Sequence, residues 1–276
     1  ANITVNVDAA SCVATVASLG TPTTADNCSV ASVTNNHPSS TYPVGTTTVI
    51  WTVTDAAGNT ATSNQTETAT DNINPTITCP SAQALILNAS CAGVLGNYTS
   101  LATAADNCTV ASVTQSPAAG TAVSGVGTTV VTLTVTDAAG NTSTCNFNVN
   151  RIDNIAPVIT CPANQSVAFN NDCEYVLPNF ISTLSISATD NCSSGAAITY
   201  VQSPAAGTVI TTTQVVTVTA TDASGNSSSC TFDVVPSDQT APFIAGCPGN
   251  FDVDFNASCG YQLPDFVSSL GITLTD

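Results

Sequence analysis

Three short phrases recur along the 276 residues at spacings of 80 to 86, and this periodicity limits the fold more than any other feature. Cys-Pro returns at Cys79-Pro80, Cys161-Pro162 and Cys247-Pro248, and Asp-Asn-Cys at 26–28, 106–108 and 190–192. Thr-Asp-Ala-(Ala/Ser)-Gly-Asn starts at Thr54, Thr136 and Thr221. The period exceeds that of helical solenoids, and each unit is long enough to hold its own core, so the chain reads as independent domains in series. The boundaries this implies are 1–73, 74–155, 156–240 and 241–276, with the first and last units incomplete. Ala1 opens inside a repeat, and Asp276 falls where the next Asp-Asn-Cys phrase should begin. That register predicts no leader peptide within the sequence. It also predicts either a longer parent chain or identical subunits that complete one another's repeats, as in a filament.

A unit of about 80 residues is of the size at which a single core is marginal and a covalent staple helps. Twelve cysteines can supply it. In a chain with a single basic residue and a single histidine, regularly spaced cysteines point to disulfides made in an oxidising compartment, and so to a secreted or cell-surface protein. Charged residues are 7% of the chain and the net charge is −17. Nucleic acid is disfavoured as a partner, because phosphate binding needs clusters of Lys and Arg and Arg151 stands alone. No apolar run approaches the length of a membrane-spanning helix.

Within each unit the dominant period is two. Thr128 to Asp137 alternates apolar residues with threonine, as do the segments around Val49, Trp51 and Val53 and around Val216, Val218 and Ala220, the pattern of half-buried strands. Gly58, Gly140 and Gly225 follow those strands where a bulged hairpin needs positive φ. Leu177 to Ile186 has room for a short turn of helix. The predicted fold class is all-β: tandem immunoglobulin-like antiparallel β-sandwiches, stapled by disulfides.

Cys-Pro, then Ala-Thr-Asp-Asn-Cys, then Gly-Thr-Thr, Thr-Asp-Ala-Ser-Gly-Asn and Ser-Cys-Thr-Phe-Asp-Val together resemble the HYR (hyalin repeat) domain. The order is best kept from Cys161 to Val234. The resemblance implies extracellular modules linked to cell adhesion. Tandem arrays of this kind are typical of large bacterial surface proteins, among them gliding-motility adhesins exported by a type IX system.

Four cysteines per unit allow three connectivities. The first unit keeps Cys12 and Cys28 but has Ser63 where Cys145 and Cys230 stand later. If the missing sites are partners, the pairs are Cys12–Cys28, Cys91–Cys108, Cys173–Cys192, Cys79–Cys145 and Cys161–Cys230, which leaves Cys247 and Cys259 unpaired. Metal-thiolate binding is the rival, disfavoured by the absence of any CxxC.

Asp71, Asp153 and Asp238 stand one per linker, each four residues before a proline, and resemble the linker aspartates with which bacterial immunoglobulin-like repeats hold calcium. Asp26, Asp106 and Asp190 are the candidates to complete such sites, because calcium takes six to eight oxygens. No other cofactor is required. The plain alternative is that each aspartate caps a turn, as is expected of Asp55, Asp137 and Asp222. Asn27, Asn107, Asn141 and Asn191 head N-glycosylation triplets. Trp51 occupies the slot held by Leu133 and Val218 and is expected to face the core. His37 lacks any catalytic surroundings, and no Ser-His-Asp set, paired glutamates or phosphate loop exists. A non-enzymatic stalk or filament segment of an adhesin, binding an unspecified surface ligand, is therefore expected. The alternatives are a carbohydrate-binding module array, which needs repeated exposed aromatics, and an ice-binding surface built on Thr-x-Thr rows such as Thr217–Thr219.

Overall fold

The computed structural model describes residues 1–241, 243–245 and 273–275. The fourth unit, with Cys247 and Cys259, lies outside the described residues except for a short antiparallel pair, Phe243–Ala245 with Thr273–Thr275. The chain divides into two compact units, Ala1–Asn154 and Ile155–Asp276. The first holds two β-sandwiches and the second holds one complete sandwich.

The long hairpin that the alternation predicts organises each sandwich. In the second repeat, Gly127–Asp137 pairs antiparallel with Thr142–Ile152 from Gly127↔Arg151 to Thr136↔Thr142. Val131, Leu133 and Val135 are fully buried while the threonines between them are half-buried, which keeps the outer face polar without charge. Val110–Ser116 flanks one side of the hairpin and Gln83–Ile86 the other. The same four-stranded order recurs in the first repeat as Ile3–Asn6, Thr60–Thr70, Gly45–Asp55 and Val30–Asn35. In the third it runs Gln165–Ala168, Ser227–Ser237, Gln214–Thr221 and Thr199–Ser203. The sheet is mixed, not purely antiparallel as the sequence suggests, because its edge strand, Ile3–Asn6, Gln83–Ile86 or Gln165–Ala168, runs parallel to the last strand of the repeat, as in Val5↔Ala69, Leu85↔Arg151 and Val167↔Pro236. Such a pair cannot come from a tight turn. Alternation along one strand therefore carries no sign of it.

Two-stranded ladders form the opposing layer: Val13–Thr15 with Thr41–Pro43, Ala92–Val94 with Ala122–Ser124, and Tyr175–Val176 with Val209–Ile210. Each sandwich closes over its own apolar cluster. Ala14, Tyr42 and Val49 centre the first, Leu95, Val131 and Phe147 the second, and Leu177, Val216 and Phe232 the third. A fully buried Val, Leu or Phe contributes about 1.5–3 kcal/mol. Edge-to-face pairs of Tyr98 with Phe147 and Phe180 with Phe232, with centroids 5.3 and 5.2 Å apart, fill the second and third cores. Between Leu177 and Ile186 lies a single helical turn, Phe180–Thr183, whose first amides are capped by Asn179 Oδ1.

Candidate functional site at the repeat junction

The order of strands gives each of the three described sandwiches two distinct poles. At one, the hairpin turns through Thr-Asp-Ala-x-Gly-Asn beside the Asp-Asn-Cys loop, since Val30 pairs with Asp55 and Val110 with Asp137. At the other, the last strand ends beside the loop that follows the parallel edge strand, since Asn6 pairs with Thr70 and Ile86 with Ile152. The strand Thr60–Thr70 has 11 residues, so the poles lie roughly 30 Å apart.

This separation corrects three expected disulfides. Cys12 sits at the second pole of its repeat and Cys28 at the first, well beyond the Cα separation of about 7 Å that a disulfide can span. Cys12 bonds instead to Cys108, across the boundary between the first two repeats, with Cα atoms 4.6 Å apart. Cys91–Cys108 is excluded by the same bond. Cys173–Cys192 is excluded because Cys173 carries a free, exposed thiol, as does Cys28. Two further disulfides stay within a repeat, Cys79–Cys145 and Cys161–Cys230. Each closes a loop of 66 or 69 residues, for which loop entropy gives about 4 kcal/mol. In the first repeat the corresponding slot holds Trp51 opposite Ser63. The indole packs against the Ala14–Tyr42–Val49 cluster and donates from Nε1 to Gln65 Oε1 at 2.7 Å, so it fills core space rather than offering a sugar platform.

Aspartates build the loops that meet. Asp106 Oδ2 accepts from the amides of Cys108 and Thr109 at 2.9 and 3.0 Å, and Asp26 and Asp190 form the same turn before Cys28 and Cys192. Asp137 Oδ1 accepts from the amides of Ala139 and Asn141, and its Oδ2 from Asn141 Nδ2. Gly140 supplies the φ of +95° that this turn requires. Burial opposes ionisation of Asp137 and Asp222, but the hydrogen bonds from Asn141 and Asn226 outweigh it and hold both carboxyls below the usual range. Asp55 is lowered chiefly by Asn59.

The hairpin asparagine also grips the linker. Asn141 Nδ2 reaches the carbonyls of Asp71 and Ile73 at 3.2 and 3.3 Å, and Asn107 Nδ2 reaches the carbonyl of Ser11 at 3.3 Å. A glycan on Asn107 or Asn141 would remove these bonds. Asn27 is exposed and Asn191 half-buried, with Nδ2 3.3 Å from Cys192 Sγ. The junction role of Asn107 and Asn141 is absent from the sequence reading. Its only trace there is the recurrence of both asparagines in phrases whose turn chemistry needs just the aspartate.

Of the calcium candidates, Asp71 and Asp106 come together: one ligand atom of each lies within 4.8 Å of the other and of Cys108 Sγ. The sulfur is committed to its disulfide, which leaves oxygen donors. Asp106 Oδ1 and Asn107 Oδ1 are buried with no hydrogen-bond donor, and such acceptors suit a hard cation. Asp190 lies within the same distance of Asp222. Asp153 is 3% exposed. Asp26 and Asp238 are exposed and serve their own turns, Asp238 accepting from Thr240 N at 2.9 Å.

The HYR domain model matches residues 4–67 and 70–151, more than half of the chain. The chain belongs to the HYR domain family. Relatives of this HYR chain include hyalin from Lytechinus variegatus, 35% identical over 233 residues that make up 81% of this chain and 43% of that protein. Hyalin from Strongylocentrotus purpuratus is 33% identical over 222 residues, 77% of this chain and 18% of that protein. The chain thus spans less than half the length of either relative. Neither supports the bacterial gliding-motility setting that the resemblance implied. Among solved structures, human CDH23 EC21-23 aligns with 69% of this chain and 74% of its own at 16% identity and a TM-score of 0.33. Mouse clustered PcdhgC3 EC1-3 aligns with 70% of this chain and 77% of its own at 14% identity and a TM-score of 0.32.

Proposed function

We propose that this chain is a segment of an extracellular adhesive protein, a non-catalytic stalk or filament in which HYR sandwiches are locked to their neighbours and transmit tension. The observation that carries the proposal is the Cys12–Cys108 bond across a repeat boundary. A disulfide inside a domain protects that domain's fold; one between domains fixes their junction and shortens the path available to a pulling force. The linker grip by Asn141 and the buried Pro75 act in the same direction. Repulsion among acidic side chains keeps neighbouring stalks apart. The hyalin relatives support the adhesive, extracellular part of this reading. Calcium held by Asp71 and Asp106 belongs to the same proposal, as an oxygen-donor clamp beside the disulfide.

Single-molecule stretching tests it. The Cys12–Cys108 bond shields 96 residues of sequence from extension, so the oxidised Cys12→Ser, Cys108→Ser variant, whose disulfides within repeats stay closed, is expected to extend further than the oxidised wild type, by at most roughly 300 Å at about 3.3–3.6 Å per residue. Equal lengths of the two oxidised proteins would overturn the proposal.

A further inference from the structure

The loop between Ala92–Val94 and Thr103–Ala105 holds a triplet that the junction does not use, Asn97-Tyr98-Thr99. Tyr98 is buried in the second core, and its amide donates to Gln115 Oε1 at 2.8 Å. Gln115 pairs with Leu133, halfway along the hairpin strand Gly127–Asp137, so the triplet sits on the flank of the sandwich, away from both poles. Asn97 is exposed and lies outside any strand or helix. Its Oδ1 accepts from the amide of Thr99 at 3.1 Å and from the Thr99 hydroxyl at 2.8 Å. Its Nδ2 has no hydrogen-bond partner among the described residues. The third repeat builds the same turn without that hydroxyl. Asn179 Oδ1 accepts from the amides of Ile181 and Ser182, and Phe180 N donates to Gln202 Oε1 as Tyr98 N does to Gln115. Ile181 there takes the place of Thr99. The turn therefore needs the asparagine but no hydroxyl two residues on, and Thr99 completes an Asn-x-Thr acceptor that the fold itself does not require.

We propose that Asn97 is an N-glycosylation site, carrying an oligosaccharide on the flank of the second repeat. A glycan on Nδ2 replaces an N–H and is bulky, so the folded chain tolerates it where that N–H is exposed and unbonded. Other triplets fail this condition. Nδ2 of Asn107 and of Asn141 holds carbonyls at the junction, and Nδ2 of Asn164 and of Asn226 holds the carboxylates of Asp233 and Asp222. At Asn97 the glycan breaks no bond and leaves both poles clear of the Cys12–Cys108 staple. The inference rests on the extracellular part of the proposed function, because the transfer takes place in the secretory pathway.

The donor is a polyprenyl-diphosphate-linked oligosaccharide, and the catalyst is a transferase of that pathway. Asn97 Nδ2 forms a bond to the anomeric carbon as the bond from that carbon to the diphosphate oxygen breaks. The diphosphate leaves with the bonding electrons, and one Nδ2 proton passes to a base of the transferase. Nothing is oxidised or reduced.

The test uses the full chain secreted from a eukaryotic host behind a cleavable leader. Peptide N-glycosidase in heavy-oxygen water turns a glycosylated asparagine into a labelled aspartate, and mass spectrometry is expected to find that label at position 97. Thr99→Ala, which leaves the amide of residue 99 bonded to Asn97, is expected to lose the label, and Thr99→Ser to keep it. An unlabelled position 97 in the secreted wild type, or a label equally abundant in Thr99→Ala, would overturn the inference. If the Cys12–Cys108 peptide is present in secreted protein whose Asn97 is unmodified, the glycan fails and the proposed function stands.

Discussion

Glu67 is the residue at which the repeats depart most sharply from one another. Register places it opposite Thr47, in the slot that Val149 and Val234 fill in the later repeats. It is fully buried, and its carboxylate oxygens and the nearby Tyr42 hydroxyl lack hydrogen-bond partners. Burial pushes the Glu67 carboxyl up, and burial followed by the Glu67 charge pushes the Tyr42 hydroxyl up. A carboxyl raised in the folded state binds its proton more tightly there than when unfolded. Its favourable contribution is therefore complete in acid and is lost as pH rises through the folded pKa. The turn aspartates behave oppositely: lowered in the folded state, they stabilise above the ordinary carboxylate range and lose that contribution as pH falls through it. Glu67→Gln removes the charge at constant shape. It is expected to raise the first repeat's melting point by several degrees at pH 7, with a smaller gain near pH 4, as read by calorimetry. An equal gain at both pH values would contradict the burial argument. The turn chemistry of Asp55, Asp137 and Asp222 was legible in sequence because it is local. Glu67 was not, because its burial depends on which strands cover it.

At the scale of elements, period-two alternation and the glycine after each Thr-Asp-Ala phrase located the long hairpins, since both signals act between neighbours along the chain. The parallel pairing of edge strand with last strand left no such mark. That pairing decides where each cysteine loop stands, so treating each repeat as a closed set of four cysteines paired loops that lie at opposite poles. The same placement brings Asp71 of the linker to Asp106 of the next repeat. Millimolar calcium is expected to raise the melting point of the wild-type chain by a few degrees. Asp106→Asn keeps a side-chain oxygen for the Cys108 turn and should abolish the rise. An unchanged melting point in the wild type, or an equal rise in the variant, would remove calcium from the junction.

For the whole molecule, the Cys12–Cys108 bond joins the two separate cores of the first unit covalently. The charge of −17 makes neighbouring copies of the chain repel one another at low salt. Almost nothing in the chain answers to trypsin, since Arg151 is its single basic site, but cleavage before aspartate separates the decisive cysteines. Cys12 falls on fragment 8–25, Cys28 on 26–54 and Cys108 on 106–136. Mass spectrometry of the unreduced digest is expected to find fragment 8–25 joined to 106–136, with fragment 26–54 outside that link. Fragment 8–25 joined to 26–54 would place the bond within one repeat and contradict the cross-repeat staple.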